Sequence, residues 1–271
     1  MIRELTAGSG TAITIRPVCH PEFEGRIEHG RRIIDAAFGK SAAQRKPAGT
    51  RLFGPETGSD LAYRLSCGWA YRAVDWPDGR RAIIDLYLPG DVIGIEAAAF
   101  GHPVDKIVAV TALTVQAIDM PTFADLMTNP PAAAAVFWLL AEQQRRIDRL
   151  AAALARRDAH ERLALMLSDL YDRLCPRGPI ACSSYALPLT QQQIGDHLGL
   201  TLVHVNRVLR SLREKKIVSV DRHVVTIRDL ERLRQLAASE KAAPPRISSE
   251  RPSAPREPAL DRAELGELAL S

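Results

Sequence analysis

The fold of this chain is decided by the stretch LTQQQIGDHLGLTLVHVNRVLRSLR, which runs from Leu189 to Arg213. Within it, Thr190 and Gln193 have the spacing of a capping box, so a short helix is predicted to begin there. Gly199 follows at the position where a left-handed backbone ends a helix at the lowest steric cost, and Thr201 caps a second helix. Two short helices joined by a tight glycine turn predict a helix-turn-helix.

The second helix, at about residues 201–214, has an apolar face and a basic face. Val205, Leu209 and Leu212 recur at helical spacing and are predicted to face the core. Arg207 lies on the opposite arc, where the arginine fork matches guanine O6 and N7. The residues predicted to contact bases or phosphates are Thr190, Gln191, Gln192, Thr201, Val203, His204, Asn206, Arg207 and Arg210. The structural alternative is a helical hairpin whose polar face is merely solvated.

A small β-hairpin is predicted directly after this helix. Ile217–Val220 and His223–Ile227 are two β-rich runs on either side of a turn at Asp221-Arg222. A hairpin in this position is the wing of a winged helix, which favours DNA binding over the solvated hairpin.

The composition of the 271 residues sets bounds on the function. A net charge of +4 permits nucleic acid as a partner without requiring it. No cysteine pair has C-x-x-C spacing, so neither a zinc ribbon nor an iron–sulfur cluster is predicted. Buried or idle thiols are expected, and the alternative is that Cys175 and Cys182 are neighbours in the fold. The cysteines are Cys19, Cys67, Cys175 and Cys182. The longest apolar run, Ala132–Ala141, is too short to span a bilayer, and the N-terminus lacks a signal-peptide pattern, so we expect a cytoplasmic protein without a membrane segment.

Upstream of the helix-turn-helix, a helical stretch is followed by a β-rich one. Residues from Glu22 to Phe38 are predicted to be helical, although Gly25 and Gly30 weaken that prediction. From Gln44 to about Met120, Gly and Pro separate short β-rich runs, which predict a sandwich or barrel. The predicted strands are Thr50–Phe53, Leu61–Cys67, Trp69–Val74, Arg81–Leu88, Lys106–Ala112 and Thr114–Ile118.

A long helix is predicted after Pro130 and Pro131. Its apolar residues alternate at steps of three and four with one polar member, which is the pattern of a coiled-coil seam. The predicted seam residues are Val136, Leu140, Gln143, Ile147, Leu150 and Leu154. We predict that this seam joins two copies of the chain, and the alternative is a helix packed only on its own domain. Asp158 and Glu161 then predict a new helix after a break.

This order of parts resembles that of the CRP/FNR family of bacterial transcription regulators. The resemblance is carried by residues 189–218 and by Leu88-Pro89-Gly90-Asp91-Val92-Ile93-Gly94, which is similar to the family's glycine-containing turn. It implies an α+β fold with an N-terminal β-roll of the cyclic-nucleotide-binding jelly-roll type, a long dimerisation helix and a C-terminal winged helix-turn-helix. It also implies a homodimer that reads a palindromic operator with one recognition helix per major groove, and RNA polymerase as a further partner.

The resemblance divides the chain into five segments. They are an N-terminal arm at 1–21, a β-roll effector-like domain at 22–129, the dimerisation helix at 130–157, the winged helix-turn-helix at 158–238 and a tail at 239–271. The tail is rich in Pro, Ser, Arg and Glu and is expected to be disordered because it cannot build a core.

The resemblance also places a candidate effector site in the β-roll. Cyclic-nucleotide binders of the family carry a Gly-Glu pair and an Arg-Ser or Arg-Thr pair, whereas this chain has Gly94-Ile95-Glu96 and, as the cation of that region, Lys106. Lysine supplies charge but no bidentate fork, so cyclic AMP is not expected to bind. The candidate effector residues are therefore Gly94, Glu96 and Lys106.

The sequence resembles the FNR and FixK branch of the family, but it lacks the N-terminal cysteine cluster that holds an iron–sulfur centre in FNR proper. No metal site is predicted. His20 and His102 are candidate haem ligands, with solvated loop residues as the alternative. The nature of the effector stays open between a cyclic nucleotide, a haem-bound gas, thiol oxidation and no ligand.

Two classes of function remain. No phosphate-binding loop, nucleophile elbow or H-E-x-x-H motif occurs, so the chain is not predicted to be an enzyme. The first class is a sequence-specific DNA-binding regulator, and the alternative is a ligand-binding or protein-interaction module whose helix-turn-helix does not read DNA. The basic side chains of Arg207, Arg210 and Arg213 favour the regulator. Val203 stands where the family often has glutamate, so the operator is expected to differ from the best-known consensus.

Overall fold

A computed structural model describes residues 21–54, 60–100, 105–175 and 183–238 of the chain. The predicted N-terminal arm up to residue 20, the tail at 239–271 and both haem-ligand candidates, His20 and His102, lie outside these ranges. The helices are α1 (Pro21–Gly39), α2 (Ile95–Phe100), α3 (Met120–Met127), α4 (Pro130–Arg156), α5 (Ala159–Leu174), α6 (Gln191–Leu198), α7 (Leu202–Glu214) and α8 (Leu230–Ala238). The strands are β1 (Gln44–Lys46), β2 (Arg51–Phe53), β3 (Leu61–Cys67), β4 (Ala70–Asp75), β5 (Arg81–Tyr87), β6 (Val92–Ile93), β7 (Lys106–Ala109), β8 (Leu113–Asp119), β9 (Ser184–Ala186), β10 (Val218–Asp221) and β11 (Val224–Ile227).

The β-rich region forms two antiparallel sheets, with strand orders β1-β8-β3-β6 and β2-β7-β4-β5. Their inward faces meet around Leu65, Ile93 and Val115, which are fully buried. The predicted strands are confirmed to within a few residues at each end. The short elements β1, β6, α2 and α3 were missed. Asp119 gave a local signal for α3, because its carboxylate caps the helix by accepting from Thr122 N at 2.8 Å.

The first helix packs on the long one. The helix predicted from Glu22 to Phe38 is confirmed as α1. Gly30 had weakened that prediction, but a Cβ at this position would collide with the backbone carbonyl of Pro131. The glycine therefore allows α1 and α4 to approach closely rather than breaking the helix.

The long helix α4 ends at Arg157, whose backbone is extended with ψ 150°. Asp158 then caps α5, and both hydrogen bonds of the predicted capping box with Glu161 are present. The buried face of α5 includes Leu163, Leu167 and Leu170, which join the core beneath the helix-turn-helix.

The helix-turn-helix itself follows the prediction closely. Thr190 and Gln193 form both hydrogen bonds of the capping box at the start of α6, and Gly199 ends the helix in the left-handed conformation with φ +62°. Behind the two helices, the wing strands β10 and β11 pair with each other, and β11 also pairs with β9, a strand that was not predicted. The second helix, α7, spans Leu202–Glu214, as expected.

The helix-turn-helix also packs against the β-roll. Arg81 in β5 forms an ion pair with Asp196 in α6, with 2.6 Å between Nη2 and Oδ2. Next to it, His197 Nδ1 lies 2.8 Å from the carbonyl oxygen of Ile83. Since a carbonyl only accepts, Nδ1 carries the proton and donates it. These contacts hold α6 on the edge strand β5.

The cysteines are only partly as expected. Cys67 is an exposed free thiol, in line with the prediction of idle thiols. Cys175 is disulfide-bonded, and its partner lies outside the described residues, so for this cysteine the prediction was wrong. Among the helices that the structure describes, none is long and apolar enough to cross a membrane.

Candidate nucleic-acid interface

The recognition helix α7 is anchored by a narrow apolar face. Val205 and Leu212 are fully buried, and Val208 is buried beside them. A Cβ at Gly195 in α6 would collide with the backbone oxygen of Leu200, so this glycine lets the two helices cross at the turn. The remaining faces of α7 are left to the solvent.

The predicted reading arc faces outward into one groove. Val203 is 63% exposed, and Asn206, Arg207 and Arg210 are exposed beside it. These side chains line a groove of about 780 Å³ together with Thr190 and Gln191 from the start of α6. None of the described residues that line this groove is acidic. Its surface therefore attracts a polyanion over its whole length.

Three of the predicted DNA contacts lie apart from this groove. Gln192 Nε2 donates to Asp196 Oδ1 at 2.8 Å along α6. The Oγ1 of Thr201 and the Nδ1 of His204 lie 3.1 Å apart at the start of α7, where Thr201 also caps the helix. These three side chains are exposed, but the structure does not bring them to the lining of the groove.

The other wall of the groove comes from residues that were not predicted to contact DNA. Arg213 at the end of α7 and both residues of the wing turn, Arg222 and His223, line it. The turn residues have φ +46° and +62°, the left-handed conformation that two-residue hairpin turns of this type require. The turn lies one residue later than the Asp221-Arg222 turn predicted from the sequence, because Asp221 is paired with Val224 and leaves Arg222 and His223 between the strands.

The predicted dimer seam is divided between two faces of α4. Val136 is only 5% exposed and packs against α1 and the β-roll, and Gln143 is 8% exposed because it points into the β-roll. Leu150 packs against the core beneath the helix-turn-helix. Val136 and Gln143 are covered by their own chain and Leu150 is partly covered, so these three predicted seam residues face away from the exposed side of α4. The dimer interface stays a prediction.

The exposed stripe of α4 differs from the predicted seam at every second position, where it is displaced by one residue. It retains Leu140, Ile147 and Leu154 and adds Phe137, Gln144 and Ala151, again at steps of three and four. Phe137 is 72% exposed, and Leu140 and Leu154 are 37% and 38% exposed. The two patterns were confused because α4 is apolar on two sides, towards its own domain and towards the solvent.

The three effector candidates do not form one site. Gly94 has φ +94°, a conformation that favours glycine, and a Cβ there would collide with Phe53. Lys106 Nζ pairs with Asp75 Oδ2 at 2.5 Å. Lys106 is aligned with Ala73 of β4, and the neighbouring Arg72 points to the opposite face of the sheet.

Glu96 meets an arginine that the sequence did not identify. Arg72 Nη1 lies 2.5 Å from Glu96 Oε1, and Gln143 Nε2 donates to the same oxygen at 3.1 Å. Gln143 also lies 3.3 Å from the hydroxyl of Tyr87. Burial, reinforced by the charge of Glu96, raises the pKa of Tyr87 well above its usual value, so this hydroxyl stays neutral. The cluster joins β4, α2 and α4 inside the β-roll.

His197 in α6 and Arg146 in α4 also have shifted pKa values. Burial lowers the pKa of His197 even though the carbonyl of Ile83 opposes this shift. Burial also acts to lower the pKa of Arg146, but Asp85 prevails and raises it, so this ion pair stays charged.

Among the described residues, no group of three or more His, Cys, Asp and Glu side chains is placed to hold a metal ion.

The chain is similar to known regulators along most of its length. A family model described as a Crp-like helix-turn-helix domain matches residues 161–236. The transcriptional activatory protein AadR of Rhodopseudomonas palustris is 30% identical over 231 residues, which cover 82% of this chain and 87% of that protein. The nitrogen fixation regulation protein FixK of Rhizobium meliloti is 30% identical over 210 residues, or 72% and 86% of the two chains.

A solved structure extends this similarity to the fold. FixK2 of Bradyrhizobium japonicum superimposes with a TM-score of 0.66 at 25% identity and covers 75% of this chain and 98% of that one. The β-roll, the long helix and the winged helix-turn-helix therefore occur together in a related protein. This chain belongs to the CRP/FNR family of transcription regulators, in its FNR/FixK-like branch, and is a DNA-binding protein.

Proposed function

We propose that this regulator binds a palindromic operator as a homodimer, reads the bases with Val203, Asn206 and Arg207, and contacts phosphates with Arg210. The observation that carries the proposal is the groove of α7, in which this arc faces outward and no described lining residue is acidic. Thr190 and Gln191, at the N-terminus of α6, border the groove where backbone amides and short polar side chains suit a phosphate.

Each reading residue matches a different base feature. The arginine fork of Arg207 suits guanine O6 and N7, and the amide of Asn206 can donate to and accept from an adenine edge. Val203 offers only apolar contact, which suits a thymine methyl group. Arg210, Arg213 and Arg222 lie farther along the groove and suit the phosphates of one strand.

The exposed stripe of α4 supports the dimer. A helix that exposes Phe137, Leu140 and Leu154 in water is stabilised when a second copy covers the stripe. A two-fold axis along α4 places two recognition helices in successive major grooves, which requires half-sites about one helical turn apart. The extended backbone at Arg157 supports the division between the dimerisation helix at 130–157 and the DNA-binding domain at 158–238.

We propose further that cyclic AMP is not the effector. Glu96 is already bonded to Arg72 and Gln143, and Lys106 is paired with Asp75 on the other face of the sheet. A cyclic phosphate would therefore have to displace an internal ion pair. As a regulator of transcription, the protein would act beside the chromosome in the cytoplasm, with RNA polymerase as its further partner.

Binding selection from a pool of random duplexes tests the proposal. The expected result is an enriched palindrome whose two halves are centred about one turn apart. A pool that shows no enrichment, with affinity equal for all sequences, would instead favour the protein-interaction module. The same selection with the dimer-breaking variant described below separates failure of the dimer from failure of the reading helix.

A further inference from the structure

A second cleft lies away from the DNA groove and from the exposed stripe of α4. It occupies about 460 Å³ where α1, the turn Leu88–Val92, α4 and α5 meet. None of the described residues that line it also lines the groove of α7. Nor does any of them line the pocket beside Glu96, which is formed by residues such as Arg72, Phe137 and Gln144. Its volume lies within the range of pockets that hold small molecules, roughly 300–1,000 Å³.

The cleft is rich in arginine. The lining arginines are Arg31, Arg64, Arg145, Arg146, Arg149 and Arg173. The lining carboxylates are Asp35, Asp91, Glu142, Asp169 and Asp172. Each guanidinium has several N–H donors and no acceptor, so the cleft holds more donors than its carboxylates can accept.

Each carboxylate of the lining is paired with an arginine. Glu142 pairs with Arg145 at 3.1 Å, and Asp169 pairs with Arg149 at 3.3 Å. Arg64 pairs with Asp35, and Arg173 pairs with Asp91, each at 2.7 Å. A further carboxylate, that of Asp172, pairs with an arginine of α8 outside the cleft. Arg31 is exposed on α1 and makes no ion pair with any residue that the structure describes. The unmatched charge of the lining is therefore positive.

Arg149 has one carboxylate partner among the described residues. Its single ion pair, from Nη1 to Asp169 Oδ1, is 3.3 Å long. Burial lowers the pKa of Arg149, and the nearby charges of Arg145 and Arg157 lower it further against the opposing effect of Asp169. A positive charge in such a position is stabilised by an added anion, and its remaining N–H groups are able to donate to that anion.

The same wall of the cleft carries an aromatic side chain. Trp138 lines the cleft, and Glu142, Arg145 and Arg149 follow it on α4 at steps of four, three and four residues. Residues at this spacing lie on one face of a helix. The indole of Trp138 offers a flat apolar surface on which a base can stack. Arg145 already donates from Nε and Nη2 to Glu142, so it and Arg149 offer their remaining N–H groups to phosphate oxygens.

We propose that this cleft binds a nucleotide, with the phosphates held by Arg31, Arg145 and Arg149 and the base packed against Trp138. The site is independent of the DNA groove, because the two are lined by different residues. The arginine fork selects the phosphates, and the indole adds affinity for a planar ring over a bare phosphate chain.

Calorimetry on the full chain with two probes tests this proposal. Guanosine diphosphate and inorganic pyrophosphate should both bind saturably, and the nucleotide should bind at least ten-fold more tightly. Arg149→Ala and Arg31→Ala should each weaken both probes several-fold, and exposed Arg31 gives a variant whose folding is not at stake. Trp138→Ala should remove the preference for the nucleotide while leaving pyrophosphate binding unchanged. Arg80→Ala, at an arginine that is paired with Asp78 in the β4–β5 turn, is the matched control.

Several outcomes would overturn the site. One is the absence of saturable heat with both probes at millimolar concentration. Another is binding that Arg207→Ala abolishes while Arg149→Ala leaves it intact, because the anion would then sit in the DNA groove. Equal loss of both probes in Trp138→Ala would contradict the packing of the base on the indole.

Discussion

The guanidinium of Arg81 in β5 lies 2.6 Å from the carboxylate of Asp196 in α6, and it also lies over the ring of Tyr71 at 5.4 Å. This ion pair connects the β-roll to the first helix of the DNA-binding domain. Its side chains are 29% and 10% exposed, so the pair is partly shielded from water. It therefore couples the stability of the two domains more than a fully exposed pair would.

A double-mutant cycle on this pair should reveal that coupling. We expect Arg81→Ala and Asp196→Ala each to lower the free energy of unfolding, with an interaction energy of about 1 kcal/mol between them. Urea unfolding of the four proteins measures it, and Arg80→Ala, next to the pair in sequence but paired only with Asp78, serves as the control. Strictly additive losses would show that the contact does not join the domains.

Stability should fall at acidic pH through His197. Burial lowers its pKa in the folded chain below the usual value of about 6.5. The unfolded chain therefore binds a proton at a higher pH than the folded chain does, so the stabilisation is complete above about 6.5 and is lost as the pH falls below it. His197→Asn keeps a donor for the carbonyl of Ile83 but does not titrate.

The comparison of wild type with His197→Asn isolates this effect. Urea unfolding at pH 7.5 and 5.5 should give a larger loss of stability for wild type than for the variant. His204→Asn, at an exposed histidine on α7, should lose as much as wild type. Equal losses for wild type and His197→Asn would mean that the buried ring does not govern the acid sensitivity.

The outward stripe of α4 predicts which residue breaks the dimer. Phe137→Glu places two like charges at the interface and should give monomers at low micromolar concentration, whereas the subunit stays folded because this side chain is 72% exposed. Gln143→Ala should lower the stability of the subunit but leave it dimeric, since the amide bonds to Glu96. Sedimentation measures the oligomeric state of both variants. Trp76→Glu, at an exposed aromatic in the β4–β5 turn, is the control. A dimeric Phe137→Glu together with a monomeric Gln143→Ala would restore the seam predicted from the sequence.

Local signals account for what was predictable in this chain. The capping box of Thr190 and Gln193 and the left-handed Gly199 are short-range devices, so the sequence alone places the helix-turn-helix. The pairing of Arg72 with Glu96 depends instead on how distant strands align, and no spacing in the sequence encodes it. The predicted seam residues lie on two faces of α4 for a third reason, because this helix buries one apolar face in its own chain and leaves the other exposed.

Two arginines of α7 should affect DNA binding in different ways. Arg207→Ala should cost about 1–3 kcal/mol per half-site and relax the preference at one guanine. Arg210→Ala should weaken all sequences alike and reduce the slope of log affinity against log salt by about 1 per lost phosphate contact. Binding selection measures the sequence preference of each variant, and salt titrations measure its slope. Arg228→Ala, at an exposed residue outside the groove, is the control. An unchanged sequence preference in Arg207→Ala would rule out this residue as a reader.

The conformation of the wing turn should lower the stability of the subunit, while its arginine raises the affinity for DNA. Arg222 and His223 both hold positive φ without being glycine, and a left-handed non-glycine residue costs roughly 1–2 kcal/mol. His223→Gly should relieve this strain and raise the stability, although the more flexible unfolded chain and the loss of the contact from the ring to Leu187 O offset part of the gain. Arg222→Gly should relieve the same strain and also remove a positive charge from the groove.

We therefore expect Arg222→Gly to be more stable than wild type in urea unfolding, yet to bind its operator more weakly and with a smaller salt slope. Arg222→Asn provides the matched comparison, because asparagine tolerates the left-handed conformation and also lacks the charge. If Arg222→Gly and Arg222→Asn lose DNA affinity equally, the loss is caused by the missing charge. If Arg222→Asn binds DNA like wild type, the loss in Arg222→Gly is caused by the flexibility of the turn. Full affinity in both variants would show that this wall of the groove does not touch DNA.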